Sequence, residues 1–273
     1  MQEYLSLKNV SCGYGKHFSL QDISFSVKQG SFAGIIGPNG SGKTTLFRVI
    51  TGELPVLTGS VHINNRNLCG MPLKEKACLV AVVTQFVDIM DITVMEYVLM
   101  GRLPYRQQFQ FFETREDIAL AEKYMILTDI YKYKDKLMSH LSGGEQQLAG
   151  IARALTQQPD ILLLDEPTAF LDITHQIQVL NLIQKLNAEL NLTVLMIIHD
   201  LNLAGEYCDY LVLMNEGKLH YKGTPEQVLT YQNIEEVYKT VVFVQTNPMS
   251  KKPAIFLVSD KILQSVRTSH SEN

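Results

Sequence analysis

The segment Gly37-Pro38-Asn39-Gly40-Ser41-Gly42-Lys43-Thr44 constrains this 273-residue chain more than any other feature, because it fits G-x-x-x-x-G-K-[ST]. At ordinary residue frequencies such a match arises by chance in about one chain in a hundred of this length. Its context narrows the odds further, since the apolar run at 32–36 precedes it and a helix-forming stretch at 45–50 follows. Glycines let backbone N–H groups turn inward around phosphate oxygens with no Cβ in the way, and a helix N-terminus adds positive potential. In such a loop Lys43 reaches the β- and γ-phosphates of a nucleotide and the Thr44 hydroxyl ligates Mg²⁺. The loop alone does not separate kinases, GTPases and ATPases.

Four short apolar runs each end in residue types suited to nucleotide chemistry. Residues 32–36 run into Gly37, 79–83 into Thr84 and Gln85, 161–164 into Asp165 and Glu166, and 194–198 into His199. Continuous aliphatic runs of this length read as strands buried on both faces, as in parallel sheets covered by helices. Helical stretches lie between them, including the heptad-like 177–190, so the pattern is that of an α/β fold. Open parallel sheets bind ligands beyond the carboxyl ends of their strands, which is where these polar residues stand.

Adjacent carboxylates at one strand end give two roles from one element: Asp165 toward Mg²⁺ through water, and Glu166 beside an attacking water. An acidic turn before Pro167 is the plainer alternative. Leu141-Ser142-Gly143-Gly144-Glu145 opens a second helical run through Leu155, with Ser142 and Glu145 in capping-box spacing. Capping does not explain two glycines in a first helical turn, where each costs about 1 kcal/mol relative to alanine. Bare backbone there suits the close approach of an anion, which makes this a second expected phosphate site. Gln85 can offer its amide oxygen to Mg²⁺ or water, and a neutral His199 can donate to a γ-phosphate; taken singly, each is more often a structural hydrogen-bonding residue.

Composition removes other classes. Hydrophobic residues make up 46% of the chain and charged ones 19%, which is ordinary globular usage, and the net charge of −4 argues against a surface that tracks nucleic acid. Cys12, Cys69, Cys78 and Cys208 lie far apart with no CxxC pair, so neither a zinc site nor a disulfide framework is expected. The start MQEYLSLKNV lacks the features of a signal peptide, and no apolar run approaches the roughly 20 residues that cross a bilayer. A cytoplasmic protein, peripheral to any membrane, is expected.

With these residues in this order, the chain resembles the ATP-binding subunits of ABC transporters over essentially residues 3–240. Residues 37–45 resemble the Walker A segment, Gln85 the Q-loop, 141–145 the signature, 161–166 the Walker B segment, Ala169-Phe170-Leu171-Asp172 the D-loop and His199 the switch histidine. Tyr14, followed by Gly15, resembles the aromatic on which adenine stacks. The resemblance implies an α/β P-loop NTPase (RecA-like) core with an N-terminal antiparallel β-subdomain and an inserted α-helical subdomain. The ATP-binding domain would span 1–240, with the catalytic core at 1–85 and 159–240, the helical insert at 86–158 and a C-terminal extension at 241–273. It implies ATP and Mg²⁺ as ligands, with Lys43, Glu166 and His199 catalytic and Thr44, Gln85 and Asp165 at the metal. The nucleotide set would be Tyr14, Gly37, Pro38, Asn39, Gly40, Ser41, Gly42, Lys43, Thr44, Thr45, Gln85, Ser142, Gly143, Gly144, Glu145, Asp165 and Asp172.

In that family two copies associate head to tail, and ATP lies between the phosphate loop of one and Ser142, Gly143 and Gly144 of the other. Closure on the γ-phosphate would drive permease subunits on the inner face of the cell membrane, served indirectly by a substrate-binding protein. Leu99-Met100-Gly101-Arg102-Leu103-Pro104-Tyr105, His199-Asp200-Leu201-Asn202-Leu203-Ala204 and the stretch from Gly223 to Leu229 resemble the ATPases of importers for iron-siderophore, haem and cobalamin complexes. Importers of other metals or metal oxyanions share much of this. Leu148 and Gly150 depart from the usual signature helix, where many relatives carry Arg and a bulkier residue. After about Val241 the likeness fades, and 268–273 reads as a polar, frayed terminus. Soluble ABC ATPases acting on DNA or ribosomes usually carry a long coiled coil or two nucleotide-binding halves, and neither a sustained heptad array nor an internal repeat is present. A phosphate-loop kinase would not need the signature or His199.

Overall fold

The computed structural model describes residues 3–14, 17–85, 91–108, 110, 112–259 and 261–262. Two long strands, β1 (Glu3–Tyr14) and β2 (His17–Lys28), precede β3 (Phe32–Ile36), which feeds the glycine-rich loop and helix α1 (Lys43–Thr51). β4 (Thr58–Ile63) and β5 (Arg66–Asn67) return beside β1, and α2 (Leu73–Leu79) leads into β6 (Val80–Val83). A helical stretch follows, with α3 (Val94–Leu99), α4 (Arg115–Leu127) and α5 (Gly143–Thr156). Then come β7 (Ile161–Asp165), α6 (Ile173–Leu190), β8 (Thr193–Ile197), α7 (Leu201–Tyr207), β9 (Tyr210–Asn215) and β10 (Lys218–Gly223). The short α8 (Pro225–Val228), α9 (Tyr231–Tyr238), β11 (Val242–Thr246) and β12 (Pro253–Leu257) complete the described elements.

Among the described residues the central sheet runs β10-β9-β3-β8-β7-β6, parallel from β9 to β6 with β10 antiparallel at one edge. The four apolar runs read from the sequence are therefore neighbours, or nearly so, and end on one edge of this sheet. One boundary moves: Leu79 belongs to α2, because the Val80 N–H still donates to the Lys76 carbonyl and holds the helix one residue into the apolar run.

Both faces of the sheet are covered, which is why its strands show no polar alternation. Phe32 and Ile36 point into one layer with Leu162, Leu164, Val194 and Met196, together with helical residues such as Tyr97, Met125 and Ile151. Ala33 and Ile35 point into the other layer with Leu163, Leu195, Leu46 of α1 and Leu5 and Ile23 of the antiparallel sheet β2-β1-β4-β5. Packing on two faces fixes where each strand ends at the carboxyl edge.

The helical stretch is fastened by local and long-range devices. Thr93 with Glu96 and Thr114 with Asp117 form capping boxes at α3 and α4. Arg102 donates from Nε to Asp117 Oδ1 at 2.8 Å and from Nη1 to the Thr156 carbonyl at 3.1 Å, and its guanidinium lies 4.0 Å over the Tyr105 ring. The Leu99 to Tyr105 motif thus ties the start of α4 to the end of α5. Helix α5 is unbroken through Gly150, and Leu148 is buried in the core, so the two departures from the usual signature helix leave it intact. The first residues expected in the insert, 86–90, lie outside the described residues, as do 268–273. Beyond Val241, where the likeness faded, β11 and β12 form an antiparallel hairpin with Val242 and Ile255 buried. No helix among the described residues is long and apolar enough to cross a membrane.

Candidate functional site

Helix α1 begins behind Gly42, whose φ of 103° lies in the left-handed region, and no side chain caps it. Its first turn of N–H groups is thus left to other acceptors. At Gly40 (φ +77°) an added Cβ would meet nothing within 4 Å, so glycine serves the turn itself, whereas at Gly37 a Cβ would run into the Met214 carbonyl. The Ser41 hydroxyl is buried with no hydrogen-bond partner among the described residues. Lys43 is also buried, and its Nζ donates to the carbonyls of Gly37 and Pro38 at 2.9 and 3.0 Å. Burial pulls its pKa down, opposed by the charges of Glu166 and Asp165. An uncapped helix start, an unpartnered hydroxyl and a desolvated ammonium fit a phosphate chain.

Asp165 ends β7 and Glu166 follows with φ +51°, a left-handed conformation that costs a non-glycine residue roughly 1–2 kcal/mol. Its N–H reaches across to the Ile197 carbonyl of β8 at 3.2 Å. The Glu166 carboxylate accepts from Gln85 Nε2 at 3.0 Å through Oε2 and meets His199 Nε2 through Oε1. Residues that follow β6, β7 and β8 thus converge on one carboxylate. Burial, then the neighbouring Glu166 charge, raises the Asp165 pKa, so a cation beside it would relieve both costs. Asn39, Gly40, Gly42, Lys43, Thr44, Thr45, Glu166 and His199 line a cleft of about 420 Å³, within the range that holds a small-molecule cofactor.

Ser142, Gly144 and Glu145 of the signature line a different cleft, with Lys132, Tyr133 and His175 and without any of the phosphate-loop residues. Here the helix start is closed by its own chain. The Ser142 N–H and Oγ donate to Glu145 Oε2 at 2.7 and 2.8 Å, and the Glu145 N–H donates back to Ser142 Oγ at 3.4 Å. The Ser142 amide, assisted by the Tyr133 hydroxyl, holds the Glu145 carboxyl below its usual range. The two glycines differ. A Cβ at Gly144 would sit 2.9 Å from His175 Cδ2, so its bareness serves packing within the chain; at Gly143 a Cβ would meet Leu171 at 3.9 Å, an ordinary contact. Asp172 caps α6, accepting the His175 N–H at 2.9 Å and contacting His175 Nδ1 at 2.9 Å. That amide holds its carboxyl below the usual range. The structure gives Asp172 no place in the phosphate-loop cleft.

Tyr14 ends β1, but its side chain and Gly15 lie outside the described residues. Sequence reasoning missed three side chains that touch the expected site residues. His175 stands three residues after the capping Asp172, a spacing that a cap search would flag. Tyr133 and Tyr238 leave no local signal. The Tyr238 hydroxyl is buried near the backbone of Gly37 without a hydrogen bond of good geometry, and burial raises its pKa to about 12.

The sequence profile described as "ABC transporter" matches residues 20–169. The chain belongs to that family. It is a transport ATPase, with ATP as its nucleotide. The ABC transporter ATP-binding protein YvrA of Bacillus subtilis (strain 168) is 40% identical over 94% of this chain, which spans 58% of that longer relative. The petrobactin import ATP-binding protein FpuC of Bacillus anthracis is 35% identical over 86% of each. Among solved structures, a transporter described as of the metal-chelate type, in an inward-facing conformation, aligns with a TM-score of 0.83 at 25% identity, covering 96% of this chain and 100% of its own. The cassette MJ0796, solved as a dimer, aligns with a TM-score of 0.71 at 28% identity, over 81% of this chain and 98% of its own.

Proposed function

We propose that this chain is the ATP-hydrolysing subunit of an importer for a metal chelate, of the iron-siderophore, haem or cobalamin class, and that it works as a head-to-tail pair beneath a permease on the inner face of the cell membrane. One observation carries the reading. The phosphate loop shares a cleft with Glu166 and His199, while the signature helix start stands in a separate cleft, so a single chain does not enclose a triphosphate between the two. A second copy turned head to tail would bring its Ser142, Gly143 and Gly144 onto the γ-phosphate, and closure would depend on that charge. The name of FpuC supports an import role and a chelate cargo.

In this mechanism the loop amides and Lys43 hold the β- and γ-phosphates, and Thr44, Gln85 and Asp165 would hold Mg²⁺. Mg²⁺, when bound, neutralises charge on the phosphate oxygens. Glu166 orients the attacking water and accepts its proton as the bond from the γ-phosphorus to the bridging oxygen breaks, giving ADP and phosphate. His199 Nε2, which contacts the Glu166 carboxylate in the nucleotide-free chain, keeps its N–H at the height of the γ-phosphate and passes it to that phosphate when ATP binds. Tyr14 stacks on adenine, and residues 86–158 carry the signature as a body that moves against the core.

Replacing Glu166 with Gln keeps the size of the side chain and one of its two acceptors and removes the base. Turnover should fall at least a hundredfold while ATP and Mg²⁺ drive the variant into a stable dimer, read by light scattering on a sizing column. A variant that hydrolyses at the normal rate, or stays monomeric even alongside its permease, overturns the mechanism. Co-purification with a polytopic membrane protein tests the transport role, and recovery only with ribosomes or nucleic acid would refute it.

A further inference from the structure

Helix α7 begins two positions after His199 and has only seven residues. A helix this short is not stable by itself, so what it packs against decides where it sits. At its start Asp200 accepts the N–H groups of Asn202 and Leu203 at 2.8 and 3.0 Å, joining the helix end to the His199 segment.

Its other fastening comes from the C-terminal hairpin. Asn202 Oδ1 accepts the Ile255 N–H at 2.8 Å and its Nδ2 donates to the Ile255 carbonyl at 3.2 Å, a two-point grip on one residue of β12. Lys252 Nζ donates to the Cys208 carbonyl, just past the end of α7, at 3.2 Å. Between these points an added Cβ at Gly205 would lie 3.1 Å from the Pro253 carbonyl, so glycine is what lets the hairpin come this close. Positions 202, 205 and 208 recur at helical spacing and form one face. Ile255 is itself buried, which anchors the strand that does the gripping.

We infer that Asn202 is a positioning residue for ATP hydrolysis: through its two hydrogen bonds to Ile255, the hairpin β11–β12 fixes α7 and with it the reach of His199 Nε2 to the Glu166 carboxylate. The inference rests on the role proposed for His199. It gives the C-terminal segment a task in the reaction and gives the Asn of the His199-Asp200-Leu201-Asn202 motif a reason to be there. The phosphate loop hangs from β3 and α1, so loosening α7 should leave nucleotide binding in place and slow the chemical step.

The test measures ATPase kcat and KM of the purified full chain, with the affinity for a non-hydrolysable ATP analogue, for Asn202→Ala, His199→Ala and the double variant. Asn202→Ala should lower kcat about tenfold with KM and analogue affinity within about twofold, and should add less than about twofold in the His199→Ala background. Asn202→Asp, which keeps the acceptor for the Ile255 N–H but sets a carboxylate oxygen against the Ile255 carbonyl, should lose at least as much of kcat as Asn202→Ala. If Asn202→Ala does not fold, Lys252→Met loosens the far end of α7 and should lower kcat about twofold, again only when His199 is present. An undiminished kcat, or the same loss with and without His199, overturns the inference while the role of His199 stands. If His199→Ala alone keeps full turnover, the role of His199 falls, and any loss in Asn202→Ala then acts through another group.

Discussion

Two helix starts in this chain look alike on paper and differ in the folded molecule. Both α1 and α5 open with glycines after a short loop, and both are suited to an anion by their amides and dipole. Helix α1 has a left-handed glycine as its cap and no side chain over it, with Lys43 folded against the loop. At α5 the Ser142 and Glu145 side chains close the same kind of end. The first is open for a ligand within its own chain, and the second already satisfies part of itself. Affinity for nucleotide should therefore reside in the phosphate loop, and the signature should matter only when two copies close.

The sharpest way to break this contrast is to disable each end in turn. Lys43→Ala should weaken binding of ATP with Mg²⁺ to the purified chain by about a hundredfold or more, because it removes a cation buried against the phosphate site. Ser142→Arg should leave ADP affinity of the chain within about twofold by titration calorimetry, yet cut turnover at least a hundredfold. Equal losses of ADP affinity in the two variants would show that the ends are not divided in this way.

A smaller effect isolates the metal side of the open end. Folding raises the Asp165 pKa, chiefly through burial, so its ionised form opposes folding: the nucleotide-free chain should lose stability as pH rises from the ordinary carboxylate range through the raised value. Asp165→Asn should remove that slope in thermal melts between pH 4 and 7, raise the melting temperature above pH 6 by a few degrees, and abolish hydrolysis. A lower melting temperature at pH 7 would contradict the buried-charge account.

The smallest effect concerns the closed end. Glu145→Ala removes the acceptor over Ser142 and should cost about 1 kcal/mol, a drop of about 2–4 °C in melting temperature for a chain this size. ADP affinity should not change. A loss of ADP affinity would mean that α5 reaches the phosphate-loop cleft of its own chain.

Much of this was legible along the chain. The strand ends at Ile36, Val83, Asp165 and Ile197 lie within a residue of the ends of the apolar runs, because a fully covered parallel strand needs aliphatic residues on both sides. The Ser142–Glu145 capping box was visible because it needs only residues three apart. What stayed hidden depended on separation. Nothing near Gly144 announces that its missing side chain admits the ring of His175, and nothing near Tyr238 points to Gly37. The hairpin at 242–257 carries no motif, and its grip on Asn202 spans 53 residues.

By itself the sequence determined where each strand releases its polar residue and which residues cap the helices, since turns, caps and strand burial are written over a few neighbouring positions. Only the tertiary structure decided the order β10-β9-β3-β8-β7-β6, the meeting of Gln85 and His199 on Glu166 across 81 and 33 residues, and the separation of the two helix starts into two clefts. The reason is that a local period tells a strand which faces to bury and not which strand to lie beside; that choice is made by packing among distant segments at once.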